Sequence, residues 1–248
     1  MKALGIDIGG SGIKGALVDT LSGELATERF RLETPTPSSP EAILPLLEEI
    51  VKKFQHSGVI GCGFPGVIAH KKIQTAANLD KHWIGTNLGQ QLKEKTNCPT
   101  CVLNDADAAG LAEVRWGAGK DNQGTVLMIT LGTGLGTALF KAGHLYPNVE
   151  MGRILLNNGK EAESWASSAN RKEEDLSWET WASRLNEYLS LMEAYLQPDL
   201  IILGGGVAKK AEKFLPLLNL STEVVPAKLL NHAGIIGAAA HAQAIYEQ

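Results

Sequence analysis

The chain has 248 residues, of which 44% are hydrophobic and 20% charged, and its formal net charge is −4. This composition is typical of a folded globular protein, and the length suits one large domain or two smaller lobes. The acidic balance argues against a protein-wide basic field for nucleic acid.

The N-terminal segment lacks the features of a targeting signal. Asp7 and a glycine pair interrupt the first apolar stretch, and no apolar run approaches the roughly 20 residues of a membrane span. We therefore expect a cytoplasmic protein. The three cysteines are too few for a disulfide framework. Cys98 and Cys101 form a CxxC pair that could serve redox or metal chemistry, but no second pair or histidine pair completes a zinc site, which favours a structural role.

The first part of the chain predicts a three-stranded meander followed by alternating helices and strands. A proline-rich loop ends at Ser39, a candidate N-cap, with Pro40 at the first helical position and apolar residues at helical spacing as far as Phe54. Strands are predicted over residues 3–8, 13–18, 24–32, 59–64 and 100–103, and helices over 86–96 and 106–116.

The second part of the chain repeats the opening hairpin. It predicts strands over 124–131, 137–140 and 199–203, and helices over 178–196, from about 207, and over 231–246. Because each part opens with a glycine-rich β-hairpin, we expect a duplicated α/β design. The expected boundaries are residues 1–110 for the N-terminal lobe, with a C-terminal helix at about 234–248 packing back on it, and 111–233 for the second lobe.

Three glycine-rich loops carry the candidate phosphate chemistry. Glycine lets a backbone turn tightly and present N–H groups to a phosphate. In the first loop Ser11 and Lys14 add a hydroxyl and a cation, and Asp7 is placed to hold a hydrated Mg²⁺ through water. A plain hairpin turn is the alternative. A strand rather than a helix follows this loop, which excludes both a Walker A loop and a Rossmann loop.

The second loop also joins two strands, whereas the third joins a strand to a predicted helix, whose N-terminus suits an anion. The candidate donor-binding residues of the three loops are Asp7, Gly9, Gly10, Ser11, Gly12, Lys14, Thr130, Gly132, Thr133, Gly134, Gly204, Gly205, Gly206 and Lys209.

The motifs, in their order along the chain, resemble the ROK family of sugar kinases. They are DIGGSGIK from Asp7, GFPG from Gly63, NDADAAG from Asn104, LGTGLG from Leu131, EMGR from Glu150 and GGGVA from Gly204. Within that family the chain is most similar to the bacterial polyphosphate glucokinases, through segments such as TPTPSSPE from Thr34 and NHAG from Asn231. The resemblance implies a bilobal actin-like (ribonuclease H-like) fold around an active-site cleft, and a homodimer. It also implies Mg²⁺-dependent phosphoryl transfer from polyphosphate, ATP or both to the 6-hydroxyl of glucose.

Carried over by position, Asp105 is the general base that accepts the hydroxyl proton. Its place just past a strand suits this role, because phosphoryl transfer needs positioning, charge neutralisation and a carboxylate. The alternative is that Asn104 and Asp105 only cap the helix that follows, and Asp107 is the better candidate for a cap. Glu163 could instead be a solvated surface charge. The positions that match sugar-binding residues of the family are Pro65, Gly66, Asn78, Asn104, Glu150, Arg153 and Glu163.

Two departures from the family pattern concern the sugar and a metal. The family's Glu-x-Gly-His motif has Arg153 in place of histidine, and arginine can only donate hydrogen bonds. We therefore expect weaker glucose affinity than in an Arg153→His variant, or another acceptor. That histidine and a cysteine cluster build a structural zinc site in the wider family, and neither is present here, so no structural zinc is expected.

A polyphosphate donor requires cations along a groove, and single lysines also occur on solvated helix faces. The candidates are Lys14, Arg171, Lys172, Lys209, Lys210, Lys213 and Lys228. Two other functions are alternatives. A DNA-binding ROK repressor is disfavoured because the first strand begins at residue 3 and the net charge is acidic. A weakened paralogue that binds another sugar, or binds without turnover, has Arg153 as its support.

Overall fold

The computed structural model describes residues 1–247 and divides them into two units. Unit 1 comprises Met1–Ala112 together with the chain from His232 onward, and unit 2 comprises Glu113–Asn231. No helix among the described residues is long and apolar enough to cross a membrane.

The strands and helices fall into two groups along the chain. The first group is β1 (Lys2–Gly9), β2 (Gly12–Asp19), β3 (Glu24–Leu25), β4 (Phe30–Leu32), α1 (Pro40–Lys53), β5 (Ile60–Phe64), β6 (Ile68–Ala69), β7 (Lys72–Ile73), α2 (Leu88–Thr96), β8 (Thr100–Asn104) and α3 (Asp105–Trp116). The second group is β9 (Thr125–Leu131), β10 (Leu135–Lys141), β11 (His144–Tyr146), α4 (Ala162–Ala166), α5 (Ser168–Glu173), α6 (Trp178–Leu196), β12 (Leu200–Gly204), β13 (Glu223–Pro226) and α7 (Ala233–Tyr246).

The sheet of unit 1 has the strand order β3–β2–β1–β5–β8, and β4 also pairs with β2. The β1–β2 hairpin is antiparallel, whereas β5 and β8 run parallel to β1. Parallel strands end at the same edge of a sheet. The first glycine loop, the segment after Phe64 and the Asn104–Asp105 step therefore all lie at one edge of this sheet.

The predicted third strand is wrong in one respect, because residues 24–32 form two short strands rather than one. The backbone ladder breaks where the Thr27 hydroxyl accepts the N–H of Leu17 at 3.1 Å. A side chain then satisfies a donor that a continuous strand would have paired with a carbonyl. Pairing resumes at β4, where Arg31 lies opposite Lys14.

Helix α1 begins at Pro40 as predicted, with Ser39 at the N-cap position. The Ser39 hydroxyl caps no helix N–H. Together with the N–H of Glu41 itself, it instead lowers the pKa of the Glu41 carboxyl. The apolar stripe of α1 includes Ile43 and Leu47, both fully buried in the core of unit 1.

Helix α7 packs on the sheet of unit 1 at unusually short range because glycines face it. A Cβ on Gly5 would collide with the carbonyl of Ile235, and one on Gly61 would collide with that of Ala238. The alanine-rich sequence of α7 matches this close approach. The helix begins at Ala233, two residues later than predicted, after a 3₁₀ turn over Leu230–His232.

Unit 2 repeats the sheet topology of unit 1. Its strand order is β11–β10–β9–β12–β13, with an antiparallel β9–β10 hairpin and with β12 and β13 parallel to β9. The duplicated α/β design expected from the two glycine-rich hairpins is therefore confirmed.

The helix predicted from about residue 207 is present, but it is a 3₁₀ helix rather than an α-helix. Residues Gly206–Lys213 form a 3₁₀ helix that is interrupted at Lys210, where φ is −119° and ψ is 27°. The turn bends to bury Val207, Ala208 and Ala211. An interrupted 3₁₀ turn lacks the aligned peptide dipoles of an α-helix, so the third loop does not have the α-helix N-terminus that the sequence predicted.

Glu113, the first residue of unit 2, is a buried carboxylate that the sequence does not single out. It is 0% exposed. Its Oε2 accepts the N–H groups of Ala118 at 2.8 Å and Lys228 at 3.1 Å, and its Oε1 accepts the N–H of Leu229 at 2.7 Å. The side chain thus joins the start of unit 2 to its end.

Candidate active site

Asp105 is the first residue of α3, directly after β8. The amide oxygen of Asn104 accepts the N–H groups of Ala106 at 2.8 Å and Asp107 at 3.1 Å. Asn104 is therefore the residue that caps α3, one of the two residues of the Asn104–Asp105 capping alternative, whereas Asp107 was the better candidate from the sequence. Asp105 Oδ1 also accepts the Ala106 N–H, at 2.8 Å. Asp105 is half-buried at the carboxyl edge of the sheet.

Two of the predicted sugar residues of unit 1, Asn104 and Gly66, are in direct contact. The buried side chain of Asn104 donates from Nδ2 to the carbonyl of Gly66 at 3.2 Å. Gly66 has no room for a side chain, because a Cβ there would collide with the carbonyl of Thr75. The amide of Asn104 thus links the end of β8 to the Pro65–Gly66 segment at the end of β5.

The first glycine loop is supported from outside the hairpin. The Thr34 hydroxyl donates to the Gly9 carbonyl at 2.5 Å, and Nη2 of Arg31 donates to the Ser11 carbonyl at 2.9 Å. Asn78 lies against the loop, since a Cβ on Gly10 would be 3.2 Å from its Cβ. The predicted loop residues and the predicted sugar residue Asn78 are therefore neighbours in unit 1.

Lys14 and Asp7 form an ion pair beside the first loop. Lys14 Nζ is 3.3 Å from Asp7 Oδ2, and the two residues face each other across the hairpin. Arg31 is the next residue in the same row, opposite Lys14 on β4. Arg31 is absent from the residues predicted from the sequence. The alternating pattern of residues 24–32 could have placed it there, because a strand pairing with β2 brings Arg31 to Lys14.

The second glycine loop contacts Glu163. Oε2 of this α4 residue accepts the N–H of Leu135 at 3.0 Å, and a Cβ on Gly134 would collide with the carboxylate. The alternative of a solvated surface charge therefore does not describe Glu163. At the other side of the loop, the N–H of Ala169 donates to the Gly132 carbonyl at 3.0 Å.

Glu150 and Arg153 lie on the 3₁₀ turn that follows β11. Arg153 Nε is 3.6 Å from Glu150 Oε2, and the two side chains are 54% and 37% exposed. Burial raises the pKa of Glu150, Arg153 lowers it, and the Glu163 carboxylate raises it further. Glu150, Arg153 and Glu163 are thus one electrostatic group in unit 2.

The third glycine loop adjoins the second within unit 2. Gly205 has φ of +82°, and a Cβ there would collide with the carbonyl of Leu131. Gly204 pairs with Thr130 across β12 and β9. Both the positive φ and the contact with Leu131 require glycine at position 205. The backbone of the third loop therefore lies directly against that of the second. Gly206 and Lys209 are exposed beside them.

Two of the candidate polyphosphate cations share an aromatic ring. The guanidinium carbon of Arg171 is 3.8 Å from the centroid of the Trp178 ring, and Lys213 Nζ is 5.8 Å from it. Trp178 in turn stacks on Phe214 at 6.1 Å. Four further candidates are exposed lysines of unit 2: Lys172, Lys209, Lys210 and Lys228.

Neither the cysteines nor a cluster of metal-binding side chains forms a site among the described residues. All three cysteines are free thiols, and burial raises the pKa of Cys101 to about 12. Among residues 1–247, no three or more His, Cys, Asp and Glu side chains are grouped to hold a metal ion. Mg²⁺ needs no such group, because it keeps several waters and binds one or two carboxylates plus substrate phosphates. Asp7, half-buried at the end of β1, fits this requirement.

Comparisons with known proteins match this chain to ROK-family sugar kinases. A family model described as the ROK family matches residues 3–163. The polyphosphate glucokinase of Mycobacterium tuberculosis (strain H37Rv) is 47% identical over 236 residues, covering 95% of this chain and 89% of the relative.

Solved structures agree with this result. The inorganic polyphosphate/ATP-glucomannokinase of Arthrobacter sp. strain KM has a TM-score of 0.94 at 43% identity, covering 98% of this chain and 99% of that chain. The glucokinase of Streptomyces griseus, solved with glucose and AMPPNP, has a TM-score of 0.82 at 25% identity, covering 98% and 100%. These structures confirm the actin-like α/β fold.

Proposed function

The chain belongs to the ROK family, and from this premise we propose that it is a glucokinase that transfers a phosphoryl group from polyphosphate or ATP to the 6-hydroxyl of glucose. One observation carries the proposal. The Asn104–Asp105 step stands at the carboxyl edge of the sheet with its helix capped by Asn104, in a chain 47% identical to a polyphosphate glucokinase over 95% of its length.

Asp105 is the proposed general base. As the glucose 6-oxygen forms its bond to phosphorus, the bond from phosphorus to the donor's bridging oxygen breaks, and the hydroxyl proton passes to the Asp105 carboxylate. The products are glucose 6-phosphate and either ADP or a polyphosphate shortened by one unit. A positioned carboxylate that accepts this proton contributes about 10²–10⁴-fold to such a reaction.

The proposed sugar contacts are the positions that match sugar-binding residues of the family. In unit 1, Asn104, Pro65, Gly66 and Asn78 supply amides and backbone. In unit 2, the Glu150 and Glu163 carboxylates accept from sugar hydroxyls. The buried Asn104 and the half-buried Glu163 favour a ligand that pairs with them, because an analogue lacking a hydroxyl leaves such groups unpaired.

The proposed donor contacts are the backbone N–H groups of the three glycine loops, with Lys14 and Lys209 as cations. Asp7 would hold a hydrated Mg²⁺, which would neutralise charge on the phosphoryl oxygens. The proposed homodimer rests on the family resemblance. The proposed absence of a structural zinc rests on the missing histidine and cysteine cluster, and the proposed cytoplasmic location on the apolar pattern of the sequence.

A coupled assay tests this function directly. Purified protein is given glucose, mannose and other hexoses in turn, with polyphosphate or ATP as separate donors and with Mg²⁺. We expect glucose phosphorylation with at least one donor. Turnover of no hexose with either donor, from protein that unfolds cooperatively, would contradict the proposal.

Changing Arg153 to histidine is expected to lower KM for glucose by about threefold, with little effect on kcat. Arg153 contacts Glu150 and so competes with the sugar for a carboxylate oxygen. An exposed ion pair of this kind contributes about 0–1 kcal/mol. The measurement is KM for glucose at saturating donor and at a pH where the new histidine is neutral.

The matched control for this change is Arg29→His, at an exposed arginine of unit 1. It should leave KM for glucose unaltered. An unchanged or higher KM in Arg153→His would show that the Arg153–Glu150 contact does not weaken glucose binding.

The double variant Arg171→Ala/Lys213→Ala is expected to raise KM for long-chain polyphosphate by about tenfold and KM for ATP by less than about twofold. Both cations lie on Trp178, where they can attract a polyanion beyond the reacting phosphates. KM for polyphosphate should also depend less on salt concentration in the variant, because the two charges that salt screens in the wild type are no longer present.

The control pair for the polyphosphate experiment is Lys72→Ala/Lys93→Ala, which removes two exposed cations of unit 1. Equal effects of the two double variants on KM for polyphosphate would assign the result to net charge alone and remove Arg171 and Lys213 from the donor site.

A further inference from the structure

Arg31 lies over the first glycine loop. Its Nη2 donates to the Ser11 carbonyl at 2.9 Å. A Cβ on Gly12 would lie 2.8 Å from Nε of Arg31, so the guanidinium also covers this glycine. The side chain comes from β4, which pairs with the second strand of the hairpin. A planar cation thus borders the loop that is proposed to hold donor phosphates.

The charges around this loop do not cancel. Asp7, Lys14 and Arg31 form a row across β1, β2 and β4. Lys14 is paired with Asp7 at 3.3 Å, which makes that pair neutral overall. None of the ion pairs within residues 1–247 includes Arg31. The excess positive charge of this row therefore belongs to Arg31 and not to Lys14.

The guanidinium has the donors that a phosphate requires. It carries five N–H donors in a rigid planar fork, and the described bond to Ser11 uses one of its nitrogen atoms. The remaining donors match the spacing of phosphoryl oxygens, for which arginine is better suited than lysine.

We propose that Arg31 is a phosphate-binding residue of the first glycine loop, which holds the phosphoryl oxygens of the donor beside the backbone N–H groups of Gly10 to Gly12. The donor's identity rests on the proposed kinase function, whereas the affinity of the site for a phosphate chain does not. Because polyphosphate and ATP share the same phosphoanhydride end, Arg31 serves both donors.

A purely structural role for Arg31 is the alternative, in which the bond to Ser11 fixes the loop and nothing more. Two substitutions separate the roles. Arg31→Gln keeps an N–H donor for the Ser11 carbonyl and removes the charge. Arg31→Lys keeps the charge and removes the fork. Loop support without phosphate binding predicts that Arg31→Gln behaves like the wild type.

The first measurement is the rise in thermal unfolding midpoint that inorganic tripolyphosphate produces, since a ligand that binds the folded state stabilises it. We expect a clear rise in the wild type, less than half of it in Arg31→Gln, and an intermediate rise in Arg31→Lys. Arg29→Gln, an exposed arginine two positions away, should retain the full rise. Midpoints without ligand show whether each variant is folded.

The second measurement is steady-state kinetics with each donor. Arg31→Gln is expected to raise KM for both polyphosphate and ATP by about tenfold, as the loss of a hydrogen bond to a charged group predicts, while KM for glucose changes less than about twofold. A variant that raises KM for glucose to the same extent would instead indicate a general loss of structure.

The outcomes distinguish this inference from the proposed function. If the wild type phosphorylates glucose but Arg31→Gln keeps its donor KM and its full tripolyphosphate response, the role of Arg31 is refuted and the kinase function stands. If the wild type phosphorylates nothing but is stabilised by tripolyphosphate, and Arg31→Gln loses that stabilisation, the kinase function fails and the phosphate site stands.

Discussion

Replacing Asp105 with alanine is expected to lower kcat for glucose phosphorylation by about 10²–10⁴-fold, the range that a general base contributes. The variant should fold normally, because Asn104 supplies the cap of α3 through Ala106 and Asp107. The bond from the Ala106 N–H to Asp105 is lost at a cost of about 1 kcal/mol. Initial rates at saturating glucose and donor measure the effect.

A second variant, Asp105→Asn, keeps the shape of the side chain and removes its basicity, so it should be nearly as inactive as the alanine variant. The matched control makes the same Asp→Asn change at an exposed position. Asp121→Asn, at an exposed turn residue with φ of +67°, should retain wild-type kcat, because asparagine tolerates this conformation. Near-normal turnover by Asp105→Asn would mean that another group accepts the proton.

Replacing Glu113 with alanine is expected to destabilise the protein by about 3–5 kcal/mol, the cost of removing one partner from a buried charged network. Three backbone N–H groups, of Ala118, Lys228 and Leu229, lose their acceptor. In a chain of this size the change corresponds to a fall of about 6–20 °C in the thermal unfolding midpoint.

Glu113→Gln should lie between the wild type and Glu113→Ala, because its amide oxygen still accepts from one side of the network. Glu94→Ala, at an exposed residue of α2, should change the midpoint little. A fall of less than about 2 °C in Glu113→Ala would show that water replaces the carboxylate, and that Glu113 does not hold the ends of unit 2 together.

Elements with a strong local signal were predictable from the sequence. Helix α6 spans Trp178–Leu196 as predicted, because its apolar residues recur at helical spacing. The Ser177 hydroxyl accepts the Thr180 N–H at 3.2 Å and fixes its start. The two glycine-rich hairpins were equally clear, since glycine between two β-rich runs indicates a turn.

Other elements depend on partners that a local pattern does not show. The predicted strand over 24–32 is divided because Thr27 bonds to Leu17 of another strand. The predicted helix after Gly206 is an interrupted 3₁₀ turn. The short strands β11 and β13 lie outside the predicted set, because strands of three and four residues carry too few residues to show an alternating pattern.

In the candidate site, too, the residues that belong to motifs were predictable, whereas most of the contacts that they make in the folded chain were not. Motifs placed Asn104, Asp105 and the three glycine loops at strand ends, and the structure puts them there. The choice of Asn104 rather than Asp107 as the α3 cap, and the contact of Glu163 with Leu135, required the folded chain. Arg31 could have been found from the alternating pattern of residues 24–32, which brings it beside Lys14. Glu113 acts through a bond to Leu229, 116 positions away, and no motif or period links this pair.

The measurement that tests the central claim most directly is ³¹P NMR of glucose with polyphosphate and Mg²⁺, in parallel for wild type and Asp105→Asn. We predict a growing glucose 6-phosphate resonance in the wild-type sample, and none in the Asp105→Asn sample over the same interval. No sugar phosphate from the wild type with polyphosphate or with ATP would contradict the glucokinase function. Equal rates from the two proteins would contradict Asp105 as the base.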